Sequence, residues 1–401
     1  MVWYASYGAA KDAVYEKIFY QVFKNAPYGH MDLTCPSGHQ FTFEGREAGP
    51  RCDIHIRDWR MMRQALMRGD IGFGETYIDG LWNTSDLPQL MRYMVANMEA
   101  IGKVVHANAL MRRVFRFVNW LRRNSKTGSR ENIRAHYDVG NDFYKLWLDE
   151  TMTYSSALFL DGAATLADAQ RAKYHRILDK IGAAHEVLEI GCGWGGFAEE
   201  AGKRQKHVTG LTLSREQHAF ATARMKAQGL ESQIALRLED YRDVKGQFDA
   251  IVSIEMFEAV GEQYWPAYFR TIRERLKHSG NAVLQIITIE DRFFDEYRKR
   301  SDFIRHYTFP GGLLPSLARL KEEVEAAGLK ICEVFHFGQD YARTCQLWLD
   351  AIDAKVEQIK ALGYSEEFLR SWRFYLACCI GAFAEKRTDV IQLELAHAGR
   401  V

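Results

Sequence analysis

The chain has 401 residues, 47% of them hydrophobic, and a formal net charge of +1 at pH 7. This length fits two domains, and this charge excludes a strong electrostatic field around the whole molecule. No uncharged apolar stretch reaches the roughly 18 residues that a membrane-spanning helix needs. The N-terminus lacks the basic start and apolar core of a signal peptide, so we expect a cytoplasmic protein that meets a membrane only at its surface.

Residues 1–100 form the first predicted domain. Short apolar runs at 31–34, 40–43 and 52–56 predict a small sheet, and the pattern at 59–67 predicts a helix. The segment 69–77 contains three glycines. Because no strand precedes them and no Lys-Ser/Thr pair follows, we predict a tight turn and not a phosphate loop.

The cysteines of this protein predict reduced thiols. Their count is seven, and no spacing repeats, which is typical of thiols in the core of a protein in a reducing compartment. Cys35 and Cys52 have His39 between them but lack the paired spacing of a metal site, so we predict no metal.

Residues 101–130 form a predicted basic helical linker. Between residues 111 and 134 there are eight Lys or Arg residues and one acid, with apolar residues at helical spacing in the first half. One interpretation is an amphipathic helix on an anionic bilayer; the other is a solvated helix packed between domains. The pattern favours neither.

The third region, residues 131–401, alternates strands and helices. Strands are predicted at 187–190, 207–213, 234–238, 248–254 and 282–289, and helices at 197–203 and 215–228. This order predicts a doubly wound sheet with helices on both faces.

A glycine-rich turn follows the first of these strands. Glu189, Gly191, Cys192 and Gly193 lie where the strand ends and the next helix begins, and glycines there let the backbone approach a bound nucleotide. The acid before the first glycine and the lack of the dinucleotide spacing favour S-adenosylmethionine over a dinucleotide.

Two further strand ends contribute predicted cofactor contacts. The second strand ends in the stretch from Thr212 to Gln217, without the single acid that binds a ribose in dinucleotide folds. The third ends in Asp240 and Tyr241, where methyltransferases of this fold usually contact adenine. The alternative for Asp240 is a turn or helix-capping residue.

The motifs at 136–144, 152–157, 189–196, 256–261, 309–312 and 337–341 resemble those of cyclopropane fatty acid synthases and mycolic acid methyltransferases. The resemblance covers nearly the whole chain. It implies a Rossmann-like, seven-stranded class I methyltransferase sheet in residues 131–401, with a smaller α+β lipid-binding domain at the N-terminus.

The resemblance also implies site residues. Tyr154 and Ser155 would contact the methionine end of S-adenosylmethionine, and Thr212 and Gln217 its ribose. A bicarbonate ion would accept the proton that the reaction releases. Its implied ligands are Ser156, Glu258, the backbone of Ile289, and Tyr341.

Two positions depart from the bacterial prototypes of the family. Ser156 stands where they have cysteine, and Ile287 where they have histidine. Gln285 lies two residues before Ile287 on the same predicted strand and therefore on the same face. We predict that Gln285 takes over part of the histidine's role.

The implied reaction adds a methyl group to the cis double bond of an unsaturated phospholipid and closes a cyclopropane ring. Glu258 would hold or assist the base, since an acid just after a buried strand is atypical of a solvent-facing segment. Alternatives are a methylene- or methyl-branched acyl product, a small-molecule methyltransferase, and a lipid-binding protein with an inactive domain.

The expected partners follow from this reaction. They are the phospholipid and the anionic inner face of the membrane, and not nucleic acid. The sequence leaves open whether the chain forms a homodimer.

Overall fold

The computed structural model describes residues 2–107, 139–160 and 165–399, and their side chains except those of 2–11 and 103–107. The basic segment 111–134 therefore lies outside the described residues. Within them, no helix is both long and apolar enough to cross a membrane.

The helices are α1 (Val2–Phe23), α2 (Arg60–Arg68), α3 (Asp70–Ile78), α4 (Leu87–Ala96), α5 (Met98–Ala107), α6 (Asn141–Trp147), α7 (Leu166–Ile181), α8 (Gly196–Lys203), α9 (Arg215–Ala227), α10 (Trp265–Arg275), α11 (Asp291–Tyr297), α12 (Leu317–Ala326), α13 (Gly338–Ala354), α14 (Val356–Ala361) and α15 (Glu366–Ala384). The strands are β1 (Tyr28–Thr34), β2 (Gln40–Glu44), β3 (Glu47–Ile56), β4 (Trp82–Asn83), β5 (Glu186–Ile190), β6 (His207–Thr212), β7 (Ile234–Leu238), β8 (Phe248–Ile254), β9 (Leu276–Ile289), β10 (Leu329–His336) and β11 (Thr388–His397).

The chain divides into two compact units that are discontinuous in sequence. The first comprises Met1–Asp138, Ser301–Thr308 and Val356–Glu385, and the second comprises Val139–Arg300, Phe309–Lys355 and Lys386–Val401. Two segments that the sequence analysis placed in the catalytic domain thus belong to the first unit.

The first unit has a four-stranded sheet in the order β2-β1-β3-β4, which confirms the predicted small sheet. Its core is strongly aromatic because helices α3 and α15 pack rings against Trp82. Phe73 stacks on Trp82 with ring centroids 4.2 Å apart, and Phe374 meets Trp82 edge-on at 6.4 Å. Trp82 is fully buried.

The segment 69–77 is a helix, so the predicted tight turn was wrong over most of its length. Only Gly69 (φ 65°) makes a turn, between α2 and α3. Gly72 and Gly74 lie inside α3, where a Cβ on Gly74 would come within 2.5 Å of Phe303 and 2.6 Å of Phe374. These two glycines serve close packing, a role that the local sequence does not reveal.

The second unit contains a seven-stranded sheet in the order β10-β11-β9-β8-β5-β6-β7, which confirms the predicted fold class. β5 to β9 are parallel, and β11 runs antiparallel to both β9 and β10. β10 and β11 were not among the strands predicted from the sequence.

The carboxyl ends of the parallel strands carry the turns that matter for function. Gly191 follows β5, Ser214 follows β6, and Glu255 follows β8. In a doubly wound sheet, ligands bind at this edge.

Candidate active site

The glycine turn after β5 exposes its backbone at one position in particular. Gly193 has φ 51°, and a Cβ built there would have no atom within 4 Å, so a ligand can approach this backbone. At Gly191 (φ 83°) the Cβ would instead lie 2.9 Å from Cγ of Met256. Gly191 thus lets the segment after β8 lie against the turn.

Glu189 lies at the base of this turn as a buried, unsatisfied acid. Its Oε2 is buried and has no hydrogen-bond partner among the described residues. Burial raises the pKa of the Glu189 carboxyl to about 8. An orphaned buried carboxylate fits a ligand that brings a positive charge or N–H donors, as the methionine end of S-adenosylmethionine would.

The predicted ribose and adenine contacts lie at the ends of β6 and β7. Thr212 Oγ1 donates to Gln217 Oε1 at 3.0 Å, which joins those two residues. Asp240 accepts from Nε and Nη2 of Arg242 at 2.8 and 2.6 Å, and this hydrogen-bonded arginine lowers the pKa of the carboxyl. Its carboxylate is therefore a turn-stabilising group as well, and the adenine contact of Asp240 and Tyr241 stays a prediction.

Tyr154 and Ser155 occupy different surroundings. The Tyr154 ring lies 5.3 Å from that of Trp348 and 5.6 Å from that of Trp147, centroid to centroid. Ser155 is buried, and its Oγ accepts from the buried Lys173 Nζ at 2.6 Å. Cys192 is also buried, and its N–H donates to the Leu211 carbonyl at 2.8 Å.

A carboxylate that the sequence analysis missed lies at the centre of the site. Glu255 directly follows β8 and accepts three hydrogen bonds. Oε1 accepts from the Ser156 N–H at 2.8 Å and from Gln285 Nε2 at 2.7 Å, while Oε2 accepts from the Tyr341 hydroxyl at 2.5 Å. All three donor residues are buried.

Glu258 lies one turn further along and is held differently. Its Oε1 accepts from the Ile287 N–H at 2.6 Å, while its buried Oε2 has no partner among the described residues. Burial, and next the charge of Glu255, raise the pKa of Glu258 to about 8.

Comparison with known proteins decides the family. A family model, "Mycolic acid cyclopropane synthetase", matches residues 124–393. The chain belongs to this family. Together with the sheet and the glycine turn, this membership makes the protein an S-adenosylmethionine-dependent methyltransferase.

Individual relatives agree with this assignment. The chain is 36% identical to a tuberculostearic acid methyltransferase of Mycobacterium tuberculosis over 87% of this chain and 84% of that protein. It is 34% identical to the cyclopropane-fatty-acyl-phospholipid synthase of Escherichia coli over 85% and 87%. A crystal structure of a mycolic acid cyclopropane synthase complexed with SAH and CTAB superposes with a TM-score of 0.61 at 32% identity, covering 67% of this chain and 99% of that one.

The residues of this methyltransferase do not fit the implied bicarbonate ion. The Ser156 N–H and the Tyr341 hydroxyl, two of its implied ligands, already donate to Glu255. The Ile289 N–H donates to the Pro315 carbonyl at 2.9 Å, and no described hydrogen bond joins Ile289 to Glu255 or to its three donors. Three of the four expected ligands are therefore engaged by the protein itself, and only the Oε2 of Glu258 has no described partner.

Sequence reasoning found Gln285 but missed Glu255. Gln285 is 1% exposed and donates to Glu255. Its position two residues from Ile287, on the same face of the strand, allows this contact. Glu255 has φ 49°, a conformation that few acids adopt. The available signal was an acid directly after the apolar run of β8, one residue before the motif at 256–261.

Proposed function

We propose that the protein transfers the methyl group of S-adenosylmethionine to the cis double bond of an unsaturated phospholipid acyl chain, with a cyclopropane ring as the product. The observation that carries this proposal is the Glu255 carboxylate beside the glycine turn, with its three buried donors Ser156, Gln285 and Tyr341. An alkene has no proton to lose before it is methylated, so its methyltransferase needs a base that acts afterwards in a site without water.

The chemistry also accounts for the aromatic residues near Glu255. Methyl transfer to one alkene carbon leaves a carbocation on the other, and loss of a proton from the new methyl lets its C–H electron pair close the ring. Tyr341 is 6% exposed, and Trp348, whose ring centroid lies 6.1 Å away, is fully buried. Aromatic faces stabilise a cation without reacting with it.

A second candidate product is a methylene- or methyl-branched chain. The 36% identity to a tuberculostearic acid methyltransferase and the departures at Ser156 and Ile287 favour it. From the same cation, a hydride shift before proton loss from the methyl leaves a methylene branch, and proton loss from a chain carbon leaves a methyl-branched alkene.

The test is the analysis of lipids after incubation of the purified protein with S-adenosylmethionine and vesicles of an unsaturated phospholipid. We expect acyl chains heavier by one CH₂, with upfield cyclopropane signals and no vinylic signal in the proton NMR spectrum. Retained vinylic signals in the heavier chains would establish the branched product. A small amine methylated in preference to the lipid would contradict the proposal.

We further propose that the N-terminal domain binds lipid and that the basic segment brings the protein to the anionic inner face of the membrane. Reversing Arg112, Arg113 and Arg116 to Glu should weaken flotation with anionic vesicles, and so should added salt, because the attraction is electrostatic. A matched control reverses three exposed lysines elsewhere: Lys226, Lys245 and Lys321. Equal effects of the two triple variants would contradict a specific role for the segment.

A further inference from the structure

We propose that the Glu255 carboxylate is itself the base that takes the proton from the carbocation, in the place that the family resemblance assigns to a bicarbonate ion. This inference rests on the proposed function. It makes the proton acceptor a part of the protein, so that turnover needs no dissolved ion.

The geometry of the group carries the inference. A glutamate carboxylate has the same O–C–O unit as bicarbonate, and that of Glu255 is bound by the Ser156 N–H and the Tyr341 hydroxyl, at 2.8 and 2.5 Å. Those two residues are among the four implied to bind the ion. Both oxygens of Glu255 are held, so the carboxylate is fixed in orientation.

The third donor, Gln285, is oriented by a hydrogen-bond chain behind it. Gln392 lies opposite Gln285 in the β9–β11 register and donates to its Oε1 at 3.0 Å, while Arg176 donates to Gln392 Oε1 at 2.7 Å. An arginine can only donate, so each glutamine accepts through its amide oxygen on the Arg176 side and donates through its NH₂ on the Glu255 side. Gln285 therefore donates to Glu255, as an ionised carboxylate requires.

The charges nearby place the negative charge of the site on Glu255. Lys173 is fully buried, and burial lowers the pKa of its ammonium group, while its attraction to Glu255 acts against this lowering. Burial raises the pKa of Glu255, while Lys173 and the donor Tyr341 act against that rise. Of two neighbouring carboxyls in unlike surroundings, the one with the donors ionises and the other, Glu258, keeps its proton.

A carboxylate with a raised pKa is a stronger base than an exposed one, which suits proton removal. In the step itself, the methyl leaves the sulfonium, whose sulfur keeps the S–C electron pair, and forms a C–C bond with the alkene. A C–H bond of the cation then breaks, its electron pair forms the last C–C bond, and Glu255 receives the proton. The carboxylic acid returns its proton to water before the next turnover.

The first test needs no variant. Methyl transfer from S-adenosylmethionine to unsaturated phospholipid vesicles is measured in buffer depleted of CO₂, with and without added bicarbonate. We expect equal turnover under both conditions. A turnover that collapses without bicarbonate and returns with it would overturn the role of Glu255 while leaving the proposed function intact.

The second test uses Glu255→Gln, with Glu274→Gln as the control at an exposed glutamate. Turnover of Glu255→Gln should fall roughly 10²–10⁴-fold while its affinity for S-adenosylmethionine stays the same. Near-full turnover in Glu255→Gln would overturn the inference. Wild-type protein that binds S-adenosylmethionine but methylates no lipid under either condition would overturn the proposed function and this inference with it.

Glu255→Gly extends the test to the ion. Glycine suits the positive φ of this position, and its lack of a side chain leaves the three donors free for a small anion. Added bicarbonate or formate should restore part of the lost turnover in Glu255→Gly but not in Glu255→Gln, where the amide still fills the space. If thermal unfolding shows that Glu255→Gly is folded and neither ion restores any turnover, the inference is contradicted.

Discussion

At the scale of single residues, three carboxyls at the ends of β5 and β8 face different surroundings. Glu255 has three donors and a nearby lysine, Glu258 has one backbone donor, and the Oε2 of Glu189 has no described partner. Burying a carboxylate with one donor or none is costly, so the pKa values of Glu189 and Glu258 lie well above the ordinary value. The ionisation of each carboxyl as the pH changes therefore depends on its own surroundings.

Binding of S-adenosylmethionine should expel a proton from Glu189. The pKa of Glu189 is about 8 without ligand, and a cationic ligand would lower it, so between pH 4.5 and 8 binding releases a proton. Affinity should rise with pH in that range, by at most about tenfold per pH unit. Calorimetry in buffers of different ionisation enthalpy measures the release, and Glu189→Gln should abolish it. Proton release that persists in Glu189→Gln would contradict the contact.

The Glu258 carboxyl, whose Oε2 is buried, should make stability fall as the pH rises. Its folded pKa of about 8 exceeds the ordinary 4.5, so its favourable contribution is complete below 4.5 and is lost as the pH rises through 8. Relative to Glu258→Gln, the free energy of unfolding should decline by at most about 1.4 kcal/mol per pH unit. Urea unfolding of both proteins across this range checks it. Parallel curves for the two proteins would disprove it.

At the scale of elements, close packing depends on glycine in α3 and on register in the large sheet. Gly74 brings α3 against the rings of Phe303 and Phe374 in the first unit. In the second unit, the β9–β11 register sets Gln285 opposite Gln392. A methyl group added at Gly74 would disturb the first arrangement, and a register shift of one residue would disturb the second.

The packing of α3 predicts that a Gly→Ala substitution destabilises the protein at Gly74, whereas the same substitution at Gly102 in α5 stabilises it. Gly74→Ala places a Cβ 2.5 Å from Phe303, so overpacking of about 1–3 kcal/mol should outweigh the gain of about 1 kcal/mol in helix propensity. A Cβ added at Gly102 in α5 would have no atom within 4 Å, so Gly102→Ala should only gain helix propensity. Thermal unfolding should show the first variant less stable and the second more stable than wild type. A stabilised Gly74→Ala would contradict the packing.

At the scale of the whole molecule, the chain builds its first unit from three separate segments. Helix α15 supplies buried residues to that unit, including Leu369, Phe374 and Ile380. The N-terminal residues thus lack part of their core until the chain is nearly complete. This is a property of the fold that domain boundaries drawn along the sequence do not show.

A fragment of residues 1–138 should therefore not fold by itself. Without α15, the helices α3 and α4 expose the faces that bury Phe73, Trp82 and Leu90 in the full chain. Circular dichroism should show no cooperative thermal transition for the fragment. Joining residues 356–385 to it through a flexible linker should restore one, and a cooperative transition without them would contradict this account.

The sequence by itself determined the elements whose cause is local. The apolar runs of β5 to β8 and the glycine turn predicted the sheet and its ligand-binding edge, because strand period and backbone conformation depend on adjacent residues. The strand period also placed Gln285 on the same face as Ile287. The motifs then identified the family.

Only the tertiary structure decided how the hydrogen-bonded group around Glu255 is built. Ser156, Gln285 and Tyr341 lie 99, 30 and 86 residues from Glu255, and no local pattern joins them. The same is true of Gly74, whose neighbours are on distant segments, and of the discontinuous first unit. Hydrogen bonds and core contacts are formed by residues that the fold brings together, so a carboxylate that would be a surface acid in an isolated segment becomes the centre of the site.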